Sequence, residues 1–209
     1  MDLKQLAAEE RHDLADFLTT LTPQQWQAPS LCEQWTVSQV VAHMISYEEL
    51  SWGGLLGRFA RGRLSVDRIN ALGLADYQHH QPEQLCALLR EHARPRGLTA
   101  GFGGGIALTD GVIHHQDIRR ALAAPRNIPD ERLHAVLPFA LKAPTLSGRK
   151  LTHGLRLIAT DLDWSTGNGP NVTGPAEALL MAIAGRPAAL NDLDGDGAHT
   201  LTRRLTGTT

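Results

Sequence analysis

The sequence predicts a mainly helical protein, with a bundle of amphipathic helices over residues 1–145 followed by a small α+β domain over residues 146–209. Three observations carry this reading. Up to about residue 141, apolar side chains recur at three- and four-residue spacing, which lays a stripe along one helix face. The breaks between these segments are short and marked by Pro, Gly or capping residues, as in antiparallel bundles rather than βαβ crossovers. Beyond about residue 145 the period shortens, and Leu155, Leu157, Ala159 and then Leu162 approximate strand alternation.

In chain order, Leu3, Leu6, Leu14, Phe17, Leu18 and Leu21 form the apolar stripe of a first helix. Glu10 falls within it, and a carboxylate there either reaches solvent from the edge or needs a partner or a metal. Thr22-Pro23 opens a short helical turn carrying Trp26, with Pro where its missing N–H is tolerated. Thr36 and Gln39 have capping-box spacing and start a second long helix that runs to about Leu50. Val37, Val40, Val41, Met44 and Ile45 face inward, and His43, three residues after Val40, points inward or to an edge of the core. Gly53, Gly54 and Gly57 with Arg58, Arg61 and Arg63 read as a frayed end or a mobile loop that could cover a site.

Gln81-Pro82-Glu83 begins a third helix on Leu85, Leu88 and Leu89, which Arg94-Pro95 ends. The run from Gly101 to Gly105 lacks a following Lys-Ser/Thr, so it is a linker or a site rim and not a phosphate loop. A fourth helix spans about Ile106 to Ala123, with Pro125 beyond its end. Asp130 to Leu141 reads as another helix, kinked or interrupted at Pro138. In the tail, antiparallel strands flank a compact helix from about Thr173 to Gly185, and His199, Leu201 and Arg203 alternate as a final strand. The Asp194-Gly195-Asp196-Gly197 turn lacks the spacing and terminal Glu of a calcium loop.

Composition narrows the classes of function. With 42% hydrophobic, 20% charged and a formal net charge of -2, the chain suits a globular protein and has no electrostatic footprint for nucleic acid. No apolar run approaches the roughly 18 residues of a membrane span, and the N-terminus lacks the apolar core of a signal peptide. Neither a membrane partner nor export is therefore expected, and the cytoplasm is the expected location. Cys32 and Cys86 are too few for a disulfide framework; a reducing compartment suits them, each as a buried small hydrophobe.

Chemistry concentrates on the fourth helix. Asp110 and His114, four residues apart, stand one above the other on a single face, and His43 from the second helix is available as a third ligand. Two imidazoles and one carboxylate can hold Zn²⁺, or another first-row ion, while leaving a coordination position for water or substrate. His115 points about 100° away around the helix, which suits the surface or a place behind the ligands. Asp117 either orients an imidazole or pairs with Arg119 or Arg120. Those two arginines either meet a carboxylate-bearing ligand or complement the helix C-terminus.

The stretches Leu31-Cys32-Glu33-Gln34-Trp35-Thr36-Val37-Ser38-Gln39-Val40-Val41-Ala42-His43 and Asp110-Gly111-Val112-Ile113-His114-His115-Gln116-Asp117-Ile118-Arg119-Arg120 resemble the mycothiol-dependent maleylpyruvate isomerase family, within the wider DinB-like metal-binding bundles. The likeness continues through Arg126-Asn127-Ile128-Pro129, Gly154 to Asp161 and Val172 to Leu180, so nearly the whole chain has a place in it. It implies a DinB-like four-helix bundle followed by a small C-terminal α+β domain, a divalent metal, and mycothiol as the thiol. His43 and His114 match the family's histidine ligands, and Asp110 stands where the isomerase pattern has Glu, one methylene longer.

The expected activity is metal-dependent S-transfer from a low-molecular-weight thiol to a small electrophile. The alternatives are cis–trans isomerisation of the maleylpyruvate type, metal-assisted hydrolysis, and a nonenzymatic metal- or ligand-binding bundle. His115, Asp117 or a metal-bound water are the candidates for proton transfer, and Arg119 and Arg120 for contacts to the thiol. The sequence assigns no oligomeric state.

Overall fold

A computed structural model describes residues 1–32, 35–63 and 65–207. Glu33 and Gln34 of the stretch from Leu31 to His43, and the last two residues of the 146–209 segment, lie outside the described residues. The chain divides into two compact units, Met1–Pro125 and Arg126–Thr209.

The first unit is helical. Helix α1 (Leu3–Leu18) starts where the Asp2 carboxylate accepts from the backbone N–H groups of Lys4 and Gln5. It buries Leu6, Leu14 and Leu18, and Glu10 as well, which is wholly buried rather than at a solvent-facing edge. Helix α2 (Pro23–Trp26) and helix α3 (Val37–Ser46) both begin in capping boxes. In α3 the Gln39 N–H donates to Thr36 Oγ1 at 3.3 Å and Gln39 Oε1 accepts from the Thr36 N–H at 2.9 Å. A cap of this kind contributes about 1 kcal/mol, and here it fixes where the helix that carries His43 begins.

The glycine-rich stretch that reads as a frayed end is a helix, α4 (Trp52–Arg61). Ser51 Oγ caps it by accepting from the Gly54 N–H at 3.1 Å. Arg58, itself buried, donates to the Ser46 carbonyl at 3.0 Å and to Asp76 at 3.3 Å. These long-range bonds, with Leu55 buried, offset the roughly 1 kcal/mol that each interior glycine costs. Helix α5 (Val66–Ala75) follows and packs on α3. A Cβ on its Gly73 would fall 2.8 Å from both Ser46 Oγ and an Arg58 nitrogen, so a larger residue there would displace the buried Arg58 side chain. Helix α6 (Pro82–Glu91) buries Leu85, Cys86 and Leu89. A short turn over Gly101–Gly104 leads into α7 (Gly105–Ala121).

Helix α1 packs on α6 and α7, and α3 packs on α5, α6 and α7, so α1, α3, α6 and α7 enclose the core. Leu14, Leu18, Val37, Val40, Val41, Ile45, Leu85, Leu89 and Ile118 fill it. A buried ion pair closes one end. Arg11 bonds Glu48 at 2.5 Å and the His92 carbonyl at 2.7 Å, while Glu48 also accepts from Thr99 Oγ1 and the Arg96 N–H.

The second unit mixes helices and strands. Helix α8 (Asp130–Lys142) runs through Pro138 and packs on α9 (Gly148–Thr152) and α10 (Ala176–Ile183). Because its apolar face is buried there, the division falls after Pro125, whereas the sequence reading placed this helix with the bundle up to residue 145. Strand β1 (Arg156–Ala159) is central, antiparallel to β2 (Ser165–Gly167) and parallel to β3 (Asn171–Gly174). The parallel pairing departs from the expected antiparallel set. The chain crosses from β2 to β3 around the start of β1, through Gly167 and Gly169 at φ 83° and 125°. A Cβ at either would meet a backbone carbonyl oxygen at 2.2 Å, which only glycine avoids.

The alternating His199, Leu201 and Arg203 are not a strand but part of helix α11 (Ala198–Thr206). Ala198, Leu201 and Leu205 lie at three- and four-residue spacing, and Gly207 ends the helix in the left-handed region at φ 67°. Among the described residues, no helix is long and apolar enough to cross a membrane.

Candidate metal centre

The site lies where α3 meets α7. Val40, Met44 and Ile45 turn one face of α3 into the core, which leaves His43 at its edge with 9% of its surface exposed. On α7, Asp110 and His114 sit one turn apart on the face toward α3. Their side chains meet His43: His114 Nε2 is 3.4 Å from Asp110 Oδ1, and His43 Nε2 is 3.9 Å from the same oxygen. The two imidazoles approach edge to face, with centroids 5.1 Å apart. Trp35 covers both rings, at 4.7 Å from His43 and 6.4 Å from His114, and Tyr47 meets His43 at 5.5 Å from the next turn of the chain.

Behind His114 stands Asp117, wholly buried, with Oδ2 at 3.0 Å from His114 Nδ1. A carboxylate only accepts, so the proton lies on Nδ1 and Nε2 is turned toward Asp110. Asp117 thus stands where an imidazole-orienting carboxylate would have to stand.

Electrostatics separates the two histidines. Burial pushes His43 down to about 4, helped by the positive charge of His114 and opposed by Asp110. Burial also disfavours the charged form of His114, but Asp110 and Asp117 on either side hold its proton and push it up to about 10. Burial alone would raise Asp110, yet the charge and hydrogen bond of His114, followed by His43, hold its carboxyl well below the usual carboxylate range. The Asp110 side chain keeps 35% of its surface accessible, so solvent screens part of that attraction.

These residues fit a divalent ion. With bonds of about 2.0–2.1 Å, two ligand atoms of a tetrahedral ion stand roughly 3.4 Å apart, which the His114–Asp110 separation of 3.4 Å matches and the His43–Asp110 separation of 3.9 Å approaches. The three donor atoms lie within 4.8 Å of one another. His114 Nε2 faces an anionic oxygen that cannot donate to it, an arrangement that calls for a cation between them, a proton or a metal. The exposed side of Asp110 leaves a path for a further ligand.

The other residues singled out in the sequence lie elsewhere. His115 is wholly buried; its Nε2 accepts from Arg119 Nε at 2.8 Å, so its Nδ1 carries the proton and meets Glu10 at 2.8 Å. Arg119 lies over the Phe17 ring at 3.8 Å and donates to the Ala124 carbonyl at 3.1 Å. Arg120 is half-buried on the last turn of α7. Of the six residues on α7 given a role in the sequence analysis, the structure thus gathers Asp110, His114 and Asp117 around one ring, points His115 and Arg119 toward α1 and the helix end, and leaves Arg120 on the last turn. Tyr47 was not singled out, although it follows His43 by four residues on one helical face and the spacing contained that signal. Trp35 had no such signal, because it reaches the site from a loop.

Residues 7–96 match the model of the mycothiol maleylpyruvate isomerase N-terminal domain. Among solved structures, a histidine-to-alanine mutant of the mycothiol-dependent maleylpyruvate isomerase superposes with a TM-score of 0.53 at 16% identity, covering 95% of this chain and 96% of that one. A second structure of that enzyme gives 0.47 at 15% identity over the same shares. No curated protein matches the chain. The fold is thus a mainly helical, DinB-like bundle followed by a small mixed α+β region.

Proposed function

We propose that this chain is a metal-dependent enzyme that uses a low-molecular-weight thiol, mycothiol by likeness to its structural relative, to isomerise a cis double bond in a small electrophile of the maleylpyruvate type. The observation that carries the proposal is the convergence of His43, Asp110 and His114 from two helices on one point, with Asp110 open to solvent. The match over residues 7–96 and the fold shared with an isomerase favour isomerisation over the S-transfer expected from the residues.

When bound, the divalent ion, Zn²⁺ by its donor set, supplies a low-pKa thiolate at neutral pH that can add reversibly to an electrophilic carbon. The chain's own residues make that possible. Asp117 fixes the proton of His114 on Nδ1 and so aims Nε2 at the site. Burial keeps His43 neutral, hence able to donate a lone pair, throughout the physiological range. Trp35 walls off one side of both rings, which excludes water that would otherwise compete with sulfur. Asp110, with the shorter side chain, reaches the centre from the solvent side, where a substrate enters.

The test is product analysis with metal-loaded protein, mycothiol and a cis-olefinic 2-oxo dicarboxylate. Conversion to the trans isomer with the thiol conserved is the expected result, and it should be lost in His43→Ala. Stoichiometric consumption of thiol into a conjugate would replace isomerisation by S-transfer. Stoichiometric metal binding without turnover of any electrophile would leave a binding protein.

A further inference from the structure

His114 has two ring nitrogens, and the structure surrounds both with ligand-capable atoms. Nε2 faces His43 and Asp110. A second group brings in a sulfur: Cys32 Sγ, an Asp117 oxygen and a His114 nitrogen lie within 4.8 Å of one another. Nδ1 is the nitrogen that meets Asp117, at 3.0 Å.

The position of Cys32 is built in. The Leu31 N–H donates to the backbone carbonyl of Asp117 at 3.1 Å, which docks the loop on α7 itself. The Cys32 N–H donates to Ser30 Oγ at 3.1 Å, and the Trp35 N–H donates back to the Cys32 carbonyl at 3.0 Å. These bonds bring both Trp35 and Cys32 to His114. Asp117 is wholly buried while Cys32 is half-buried, so an ion would reach this group from the cysteine side.

We propose that Cys32, Asp117 and Nδ1 of His114 form a second cation site, selective for thiophilic ions such as Zn²⁺ and Cd²⁺, set back to back with the first across one imidazole. The donor chemistry sets the class: thiolate with imidazole suits borderline-soft ions, whereas Mg²⁺ and Ca²⁺ take oxygen ligands. Binding exchanges protons for the ion. The thiol loses one proton to become thiolate, Nδ1 loses the proton it now shares with Asp117, and the carboxylate supplies an oxygen it already carries. With both sites filled, the ring is an imidazolate bridge. The second ion takes the place of the proton that now bonds Nδ1 to Asp117, so it competes with the bond that orients His114. None of this depends on the thiol chemistry proposed above.

The experiment is a Cd²⁺ titration of Zn²⁺-loaded protein, read by the sulfur-to-cadmium ultraviolet band and by both metals bound per chain after desalting. The expected result is one band-producing Cd²⁺ per chain with the Zn²⁺ retained, in the wild type and in Cys86→Ser. Cys32→Ser and Cys32→Ala should lose the band, and Asp117→Asn, which keeps the sulfur, should need roughly tenfold or more Cd²⁺ to reach it. His43→Ala should lose the first ion and keep the band, which separates the two sites. Helical circular dichroism of each variant checks folding. A band that survives both Cys32 changes, one that disappears with Cys86, or Zn²⁺ leaving one for one as Cd²⁺ enters would overturn the proposal. No readout here is activity, so failure of the isomerase reading would leave these outcomes unchanged.

Discussion

Asp117, wholly buried, holds Nδ1 of His114 at 3.0 Å, and the opposite nitrogen of that ring stands 3.4 Å from Asp110. One imidazole is thus clamped between two carboxylates on its own helix, three residues ahead and four behind. The first carboxylate aims the ring and the second shares its target. Much of the behaviour of the centre follows from this clamp.

Asp117→Asn keeps the shape but can present an amide N–H to Nδ1, which favours the wrong tautomer. Affinity for Zn²⁺ at the first site should fall by about 10–100-fold with the helical fold intact. Competition against a chromophoric chelator measures it; an unchanged dissociation constant would show that the ring is aimed by packing alone.

Metal affinity should depend on pH over an unusual range. His43 is neutral above about 4, but His114 keeps its extra proton up to about 10, so an entering ion must displace that proton at every pH between. The binding constant should therefore climb by about one decade per pH unit from 7 to 9, well above the ordinary histidine range. A plateau above pH 7 would mean that His114 is already neutral in the metal-free chain.

The metal-free chain should be most stable near the ordinary histidine pKa of 6.5. His43, lowered to about 4, binds fewer protons folded than unfolded, so its contribution is complete above 6.5 and is lost as pH falls toward 4. His114, raised to about 10, binds more protons folded, so its contribution is complete below 6.5 and is lost as pH rises toward 10. Each limb is worth at most about 3–5 kcal/mol. Urea unfolding in chelator from pH 4 to 10 should trace this peak, and His114→Gln should remove the alkaline limb. An alkaline limb that persists in that variant would assign it to another group.

Arg11 and Glu48 should behave as a buried pair whose halves cannot be separated. Arg11→Met leaves Glu48 with two neutral donors, Thr99 Oγ1 and the Arg96 N–H, and no cation, a loss of about 3–5 kcal/mol. Converting Glu48 to Gln in the same chain should recover part of it. Chemical denaturation of the single and double variants measures the coupling, and additive losses would show that the two charges act independently.

What the sequence determined by itself is what local chemistry can specify. Capping boxes at Thr22 and Thr36 start α2 and α3 at Pro23 and Val37, and the four-residue spacing of Asp110 and His114 places both on one face of α7, whatever lies around them. Apolar periodicity likewise located α1, α6 and α7. Where local preference and long-range contact disagree, the sequence misleads: glycines disguise α4, whose helix is held by Arg58 reaching Ser46 and Asp76, and alternation disguises α11 as a strand. Only tertiary structure decided that His43 meets Asp110 and His114, that Asp117 rather than solvent takes Nδ1, and that His115 turns to Glu10. Helix periodicity fixes the direction of a side chain around its own axis to within a few tens of degrees. Which neighbour fills that direction is set by how α1, α3 and α7 pack, through core contacts between residues far apart in the chain.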